Sequence, residues 1–267
     1  ILTLTLNLAV IISANPTNAS SPKEIYTQWT GGTSNTGTGT ESSPYNMLDD
    51  AIKNAQNGDT IIIKAGGQGA YMNEKVGFTS KPLIIDKNIT IKSQSNKPED
   101  LTIRLPGIIL NANLTLENVK LDLPNRYHDH IFVNGYTLTL NDITTHEGGR
   151  EIDIFGGSAY DKQKRLLDGY NSSFNVIQSN PGPKSTINIT NSNNSLNRFG
   201  KIFAGSMNNI SSIPVKMNIT TSRQDKLNAK GLYASGAAES TSSQDNFLGP
   251  EPLAPQEDPN NFPLNEK

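Results

Sequence analysis

The chain has no cysteine in its 267 residues. That absence excludes disulfide staples, Cys-ligated zinc and thiol catalysis. Charge is also scarce: Asp, Glu, Lys and Arg make up 18% of the residues and the formal net charge is −2. No strong field of either sign therefore points to nucleic acid or to an anionic membrane as a partner. Apolar residues reach only 34%. So few of them suit a thin, elongated core better than a wide one. The length fits one large domain or two small ones and does not choose between them.

What is present begins with "ILTLTLNLAVIISANPTNAS". The run is apolar from Ile1 to Ile12, interrupted by Thr and Asn7, and gives way to small and polar residues near Thr17-Asn18-Ala19. This resembles the apolar core and cleavage region of a secretory signal peptide, and it is short for a membrane span. Residues 1–19 are read as part of such a signal, with an ordinary buried strand as the other reading. Residues 20–43, rich in Ser, Thr and Gly, read as an irregular lead-in segment.

In "SSPYNMLDDAIKNAQNGDTIIIK", Leu48, Ala51, Ile52 and Ala55 have the spacing of one helical face. Ser43 before Pro44 is a start signal, Asp49 and Asp50 fall in the early turns, and Gly58 is a stop. A helix is predicted over Tyr45–Gln56, followed by a buried strand at Ile61, Ile62 and Ile63.

From there the sequence repeats: "NITIKS", "NLTLEN", "TLTLND", "TINITN" and "KMNITT". Their first apolar residues are Ile89, Leu114, Leu138, Ile187 and Met217, separated by 25, 24, 49 and 30 residues. The 49 is read as close to two periods and the 30 as one period with an insertion. Two apolar residues flank one polar residue in each unit, as a strand with one buried face requires. Four positions after the first apolar residue stand Ser93, Asn118, Asp142, Asn191 and Thr221, all small and polar, as a recurring turn would need. A period of about 24–25 with no helix inside the unit indicates a parallel β-helix, a solenoid in which each strand pairs with its counterpart one period away. The leucine-rich-repeat frame of similar length is not matched. The helix serves as an N-terminal cap over an otherwise open edge. The β-helix is assigned to residues 44–240. Residues 241–267, rich in proline from Pro250 to Pro263, are a loop or linker. No capping pattern is written there, so the domain is expected to continue beyond the last residue.

The lead-in, the "SPYNMLDDAIKNAQNGDTIIIK" segment and the period-24 strands resemble the start of pectate-lyase-like right-handed β-helix domains. The "REIDIFGGS" and "GKIFAGS" stretches are similar to β-helix regions of Gram-positive cell-surface proteins, among them the plasmin- and fibronectin-binding adhesins of streptococci. The resemblance covers about residues 30–240. It implies an all-β, right-handed parallel β-helix on a secreted or cell-wall-anchored protein, a setting that a Cys-free chain also suits. The fold alone does not imply a function, since lyases, hydrolases, phage tailspikes and adhesins share it.

Two clusters could carry chemistry. "NRYHDHIF" places His128 and His130 on one side of an extended strand with Asp129 opposite. His146 follows 16 to 18 residues later, so all three histidines could meet across neighbouring coils as a binding patch, and a transition-metal or zinc site is conceivable. No H-E-x-x-H or comparable metal signature is present, and no metal or other cofactor is assigned. The structural reading is a polar loop ahead of the strand Ile131–Val133. In "HEGGREIDIFGG", Ile152 and Ile154 alternate with Glu151, Asp153 and Phe155. Inward isoleucines leave Glu151 and Asp153 outward, roughly 6.5–7 Å apart at the backbone, beside Arg150. A pair of carboxylates can act as acid and base in glycoside cleavage. Outward charges on a β-helix equally serve solubility.

The enzyme motifs that the resemblance would bring are missing: neither the Asn-Thr-Asp, Asp-Asp, Gly-His-Gly, Arg-Ile-Lys set of polygalacturonases nor the calcium aspartates and paired arginines of pectate lyases is found. "IFGGS" at Ile154, "IFAGS" at Ile202 and "LYASG" at Leu232 recur with spacings of 48 and 30, and read as coil corners. Eight N-x-S/T sequons occur, and four of them, at Asn88, Asn113, Asn188 and Asn218, are read as equivalent points of the repeat. They are read as strand sequence rather than as glycan acceptors. The expected function is a non-catalytic, adhesin-like surface module, monomeric, binding an extracellular glycoprotein or polysaccharide. A polysaccharide lyase or glycoside hydrolase using Glu151, Asp153 and Arg150 is the competing class. A leader or spacer of a larger surface protein, such as a protease, is the third.

Overall fold

The structure is a computed structural model that describes residues 21–31, 36–64, 70–71, 83–95, 102–104, 107–122, 130–145, 152–158, 181–191, 199–206, 213–221 and 229–233. The signal-like segment and the proline-rich segment lie outside these residues. No described helix is long and apolar enough to cross a membrane.

The chain opens with strand β1 (Glu24–Thr27) and helix α1 (Leu48–Asn54). It then runs β2 (Thr60–Ile63), β3 (Ala70–Tyr71) and β4 (Leu83–Ile85), followed by β5 (Ile89–Ser93), β6 (Thr102–Arg104) and β7 (Ile108–Leu110). The cycle continues with β8 (Leu114–Glu117), β9 (Lys120–Asp122) and β10 (His130–Phe132). Next come β11 (Thr137–Asn141), β12 (Thr144–Thr145) and β13 (Ile152–Phe155). The last described strands are β14 (Ser185–Asn191), β15 (Phe199–Phe203), β16 (Val215–Thr221) and β17 (Ala229–Tyr233).

Among the described residues these strands form three sheets: β1-β2-β5-β8-β11-β14-β16, β17-β15-β13-β10-β7-β4 and β12-β9-β6-β3. Every pairing between them is parallel. From β2 to β13 the chain visits the three sheets in strict rotation, which is the connectivity of a parallel β-helix. Among the described residues the fold is all-β apart from one helical element of seven residues.

The repeat read from sequence is the register of the seven-stranded sheet. Ile89 faces Leu114, Leu114 faces Leu138, Leu138 faces Ile187, and Ile187 faces Met217. The alternation follows: β5 and β11 bury every second residue and leave the others part-exposed. Aliphatics from successive coils, such as Ile91, Leu116, Leu140 and Ile189, stack in one column of the core. Each fully buried side chain of this kind contributes about 1.5–3 kcal/mol.

One expectation is corrected. β11 pairs directly with β14, so the 49-residue spacing is a single coil rather than two periods. The excess lies at the corner between β13 and β14, residues 156–184. Strands β4, β7 and β10 of the same six-stranded sheet turn to β5, β8 and β11 through three or four residues at the equivalent corner. The two ends of the long connection are held together at the β10–β11 corner. Asn134 N–H donates to Gly157 O at 3.1 Å and Gly182 N–H donates to Asn134 O at 3.0 Å. Ser185 Oγ accepts the Gly135 N–H at 2.7 Å and donates to Gly156 O.

The predicted helix is shorter at both ends than Tyr45–Gln56. Tyr45 bridges Thr27 in parallel fashion, and Met47 is extended (φ −120°, ψ 141°). Pairing with the β1 edge withholds Tyr45 from the helix. The predicted apolar face holds: Leu48, Ala51, Ile52 and Ala55 are all buried in the core. Lys87, just after β4, donates through Nζ to the carbonyls of Lys53 (3.0 Å) and Ile52 (3.2 Å) at the helix end, the latter also accepting the Ala55 N–H at 3.3 Å. The lead-in expected to be irregular contributes β1, whose outer edge is met by Gly39 and Tyr45: Tyr26 N–H donates to Gly39 O at 2.8 Å and Gln28 N–H to Tyr45 O at 2.9 Å. The edge strand is thereby paired rather than left open.

The recurring turn is confirmed at two of its five positions. Asn118 (φ 51°) and Asp142 (φ 50°) adopt the left-handed conformation that Asn and Asp tolerate best among side-chain-bearing residues. Ser93, Asn191 and Thr221 instead end their strands.

Candidate functional site

The sequence candidates divide between described and undescribed residues. His128, His146, Arg150 and Glu151 lie outside the described residues, so neither the three-histidine patch nor the Glu151–Asp153 pair is placed. The structure does place His130 and Asp153, one from each sequence cluster. They are register partners on β10 and β13, next to each other on the outer face of the six-stranded sheet.

Their geometry is that of a neighbouring pair rather than of a hydrogen-bonded dyad. His130 Nδ1 and Asp153 Oδ2 are 4.0 Å apart, with side chains 8% and 18% exposed. Asp153 Oδ1 accepts the backbone N–H of Lys201 at 2.6 Å. The reason is local. The β13–β15 register shifts between Ile152, which faces Phe199, and Ile154, which faces Ile202, so Gly200 and Lys201 together oppose Asp153. Such a bulge takes a backbone N–H out of the ladder. The Asp153 carboxylate satisfies it. One oxygen of the candidate catalytic carboxylate thus has a structural role.

Beside this pair runs a feature that the sequence reading missed. Phe132, Phe155, Phe203 and Tyr233 occupy equivalent positions of four successive strands in the sheet. Their rings stack, with centroids 5.3, 4.8 and 4.8 Å apart and interplanar angles of 19°, 5° and 20°. They are buried, yet they alternate with the inward Ile131, Ile154, Ile202 and Leu232 and so lie on the other face of the sheet. His130 meets this stack edge-on, 5.4 Å from Phe155 and 6.1 Å from Phe132. Lys201 Nζ lies 5.8 Å over the Tyr233 ring. The signal was available: "IFVNG" at Ile131 is an earlier copy of "IFGGS", 23 residues upstream. The corner expected after the aromatic is present. A Cβ on Gly156 would come within 2.7 Å of Val215 Cγ1, and one on Gly157 would meet the Ser206 backbone.

The outer face of the seven-stranded sheet has a different character. Thr90, Thr115, Thr139, Asn188 and Asn218 form one column, paired strand to strand, and Lys92, Glu117, Asn141, Thr190 and Thr220 form the next. Asn218 and Thr220 are exposed and the others partly exposed. Asn218 Nδ2 donates to Asn188 Oδ1 at 2.7 Å, and Asn188 Nδ2 donates to Thr139 Oγ1 at 3.2 Å. A set of hydroxyl and amide groups thus repeats at the strand spacing of about 4.8 Å. Among the described residues no group of three or more His, Asp or Glu is arranged to hold a metal ion.

The class defined by these observations is an all-β protein of parallel sheets in β-helix connectivity, with one polar and one aromatic outer face. No family model and no curated protein matches the chain. Among solved structures it is similar to a PL6 family alginate lyase, AlyGC, solved as a mutant, with 16% sequence identity and a TM-score of 0.35. The match covers 81% of this chain and 40% of that one, so the chain spans about two fifths of that enzyme's length. A likeness of this degree transfers no residue role and no substrate.

Proposed function

We propose that the chain is a non-catalytic binding module of an exported, cell-surface protein, engaging an extracellular polysaccharide or glycoprotein along its seven-stranded face. The observation that carries this reading is the continuous polar ladder on that face. Its side chains supply a repeating set of donors and acceptors, as an extended polymer with a repeating polar surface would use. The placed acid–base candidates favour the same reading, because Asp153 is engaged by the Lys201 N–H and His130 is buried against phenylalanine rings. The coil is taken as right-handed, as about 98% of parallel β crossovers are. In this reading α1 closes its N-terminal end, where it lies between β1, the carbonyl-binding Lys87 and the core. The module acts as a monomer and without a cofactor.

The test is retention of the purified chain on immobilised polysaccharides and glycoproteins, with the products assayed for cleavage. Retention without chain scission supports the module. Release of unsaturated or reducing sugar ends, abolished in Asp153→Asn or Glu151→Gln, would establish the lyase or hydrolase reading in its place.

A further inference from the structure

We infer that the ligand seats on the part of this face formed by β11, β14 and β16, and that it is an uncharged, polyhydroxylated polysaccharide. The inference rests on the binding-module reading and narrows it to one region and one ligand chemistry.

Charge makes the first distinction. The outward positions of β1, β5 and β8 include Glu24, Lys92 and Glu117. Beyond Glu117 the corresponding positions are Thr139, Asn141, Asn188, Thr190, Asn218 and Thr220, all neutral. Among the described residues the charges at the margins of this region are Lys216, which faces Thr186, Lys184 just before β14 and Asp142 just after β11. A polyanion would need several cations facing it, and a polycation several carboxylates. The two outward columns offer neither. A neutral polymer loses no charge solvation on docking and needs only hydrogen-bond partners.

Preorganisation makes the second. The bonds Asn218 to Asn188 and Asn188 to Thr139 fix two carboxamides and a hydroxyl relative to one another before any ligand arrives. Less rotamer freedom is then lost on binding. Each carboxamide uses one N–H in the ladder and carries a second, and the Thr139 hydroxyl that accepts from Asn188 keeps its own O–H to donate. Exposure rises along the same direction, from partly exposed Thr139 to exposed Asn218 and Thr220. The hydrogen-bonded groups Asn218, Asn188 and Thr139 follow one another across the strands. The polymer therefore runs parallel to the coil axis, meeting one strand after another about every 4.8 Å.

The experiment is affinity electrophoresis of the full chain through gels containing dextran, galactan, mannan or mixed-linkage glucan, and separately heparin or polygalacturonate, at low and high salt. The patch variant is Thr139→Val with Asn188→Ala, and the control variant is Lys92→Ala with Glu117→Ala, each checked for an unchanged far-ultraviolet spectrum and melting temperature. The expected result is retardation by a neutral polysaccharide that does not depend on salt. It should weaken by about tenfold or more in the patch variant, the effect of losing one to two hydrogen bonds, and be unchanged in the control. Retardation by the anionic polymers alone, reversed by salt and by the control substitutions, would overturn the inference while leaving the binding-module reading intact. Retardation by none of the six polymers would overturn both.

Discussion

The side-chain carbonyl of Asn88 accepts the backbone N–H of Asn113, one coil further on, at 2.9 Å. The relation repeats in both directions: Asn57 Oδ1 accepts the Asn88 N–H at 2.8 Å, and Asn113 Oδ1 accepts the Thr137 N–H at 2.9 Å. An asparagine at the start of three successive coils thus ties down the first backbone donor of the next. Asn88 and Asn113 open two of the sequons, and this role explains their recurrence without reference to glycans; Asn188 and Asn218, read as equivalent to them, lie two register positions further on, in the column of Thr139.

Asn113→Ala removes one such acceptor and also frees the Thr137 N–H. The expected cost is about 1–2 kcal/mol, a fall in melting temperature of about 2–8 °C. Asn113→Asp keeps the acceptor and should cost less. Thermal unfolding followed by circular dichroism compares the two, and equal losses would show that the donor half of the amide matters more than the ladder.

Asp153 should behave as a backbone ligand. Asp153→Asn preserves an oxygen for the Lys201 N–H, whereas Asp153→Ala leaves that donor unpartnered beside a buried ring system. The alanine variant is expected to lose about 1–3 kcal/mol in urea denaturation and the asparagine variant a minor part of that. Should the two variants prove equally stable, the bulge has no need of the carboxylate and Asp153 returns as a candidate acid.

The aromatic stack carries a third expectation. Phe155 lies between Phe132 and Phe203 in the middle of the column. Phe155→Ala is expected to destabilise by about 3–5 kcal/mol, with Phe155→Leu clearly milder, because the cavity left by the ring cannot be filled from either neighbouring coil. A loss below about 1 kcal/mol in equilibrium unfolding would mean that the stack contributes little beyond filling space.

The inward columns were legible because period-two alternation repeats every 24 or 25 residues, and the two constraints fix the register together. Ile89, Leu114 and Leu138 pair as their spacing suggested, and so do Ile187 and Met217, whereas Leu138 and Ile187 pair directly although their spacing had suggested an intervening coil. The count of coils was less legible. An extra connection nearly as long as a coil, between Phe155 and Ser185, mimics a missing repeat, and nothing in its length distinguishes the two. The fourth copy of the aromatic corner stayed hidden because Val133 and Asn134 replace its small residues, Asn134 taking the left-handed conformation (φ 52°) by itself. The role of Asp153 was illegible for another reason. The bulge that needs its carboxylate is written 48 residues away, in Gly200 and Lys201.

Asp50 supplies a pH test of the helix packing. Its carboxyl titrates above the ordinary Asp range, chiefly because burial disfavours the charged form; Asp49 adds to the shift and Lys53 opposes it. Folding therefore disfavours the ionised side chain. The unperturbed stability is present below the unfolded-state pKa of about 3.9 and is lost as pH rises through the elevated folded value. Asp50→Asn removes the titration. The variant should melt above the parent protein at pH near 7 and together with it at pH near 3. An equal increment at both pH values would assign the change to packing. A lower melting temperature at neutral pH would show that the carboxylate's attraction to the first turn of α1 outweighs the cost of its burial.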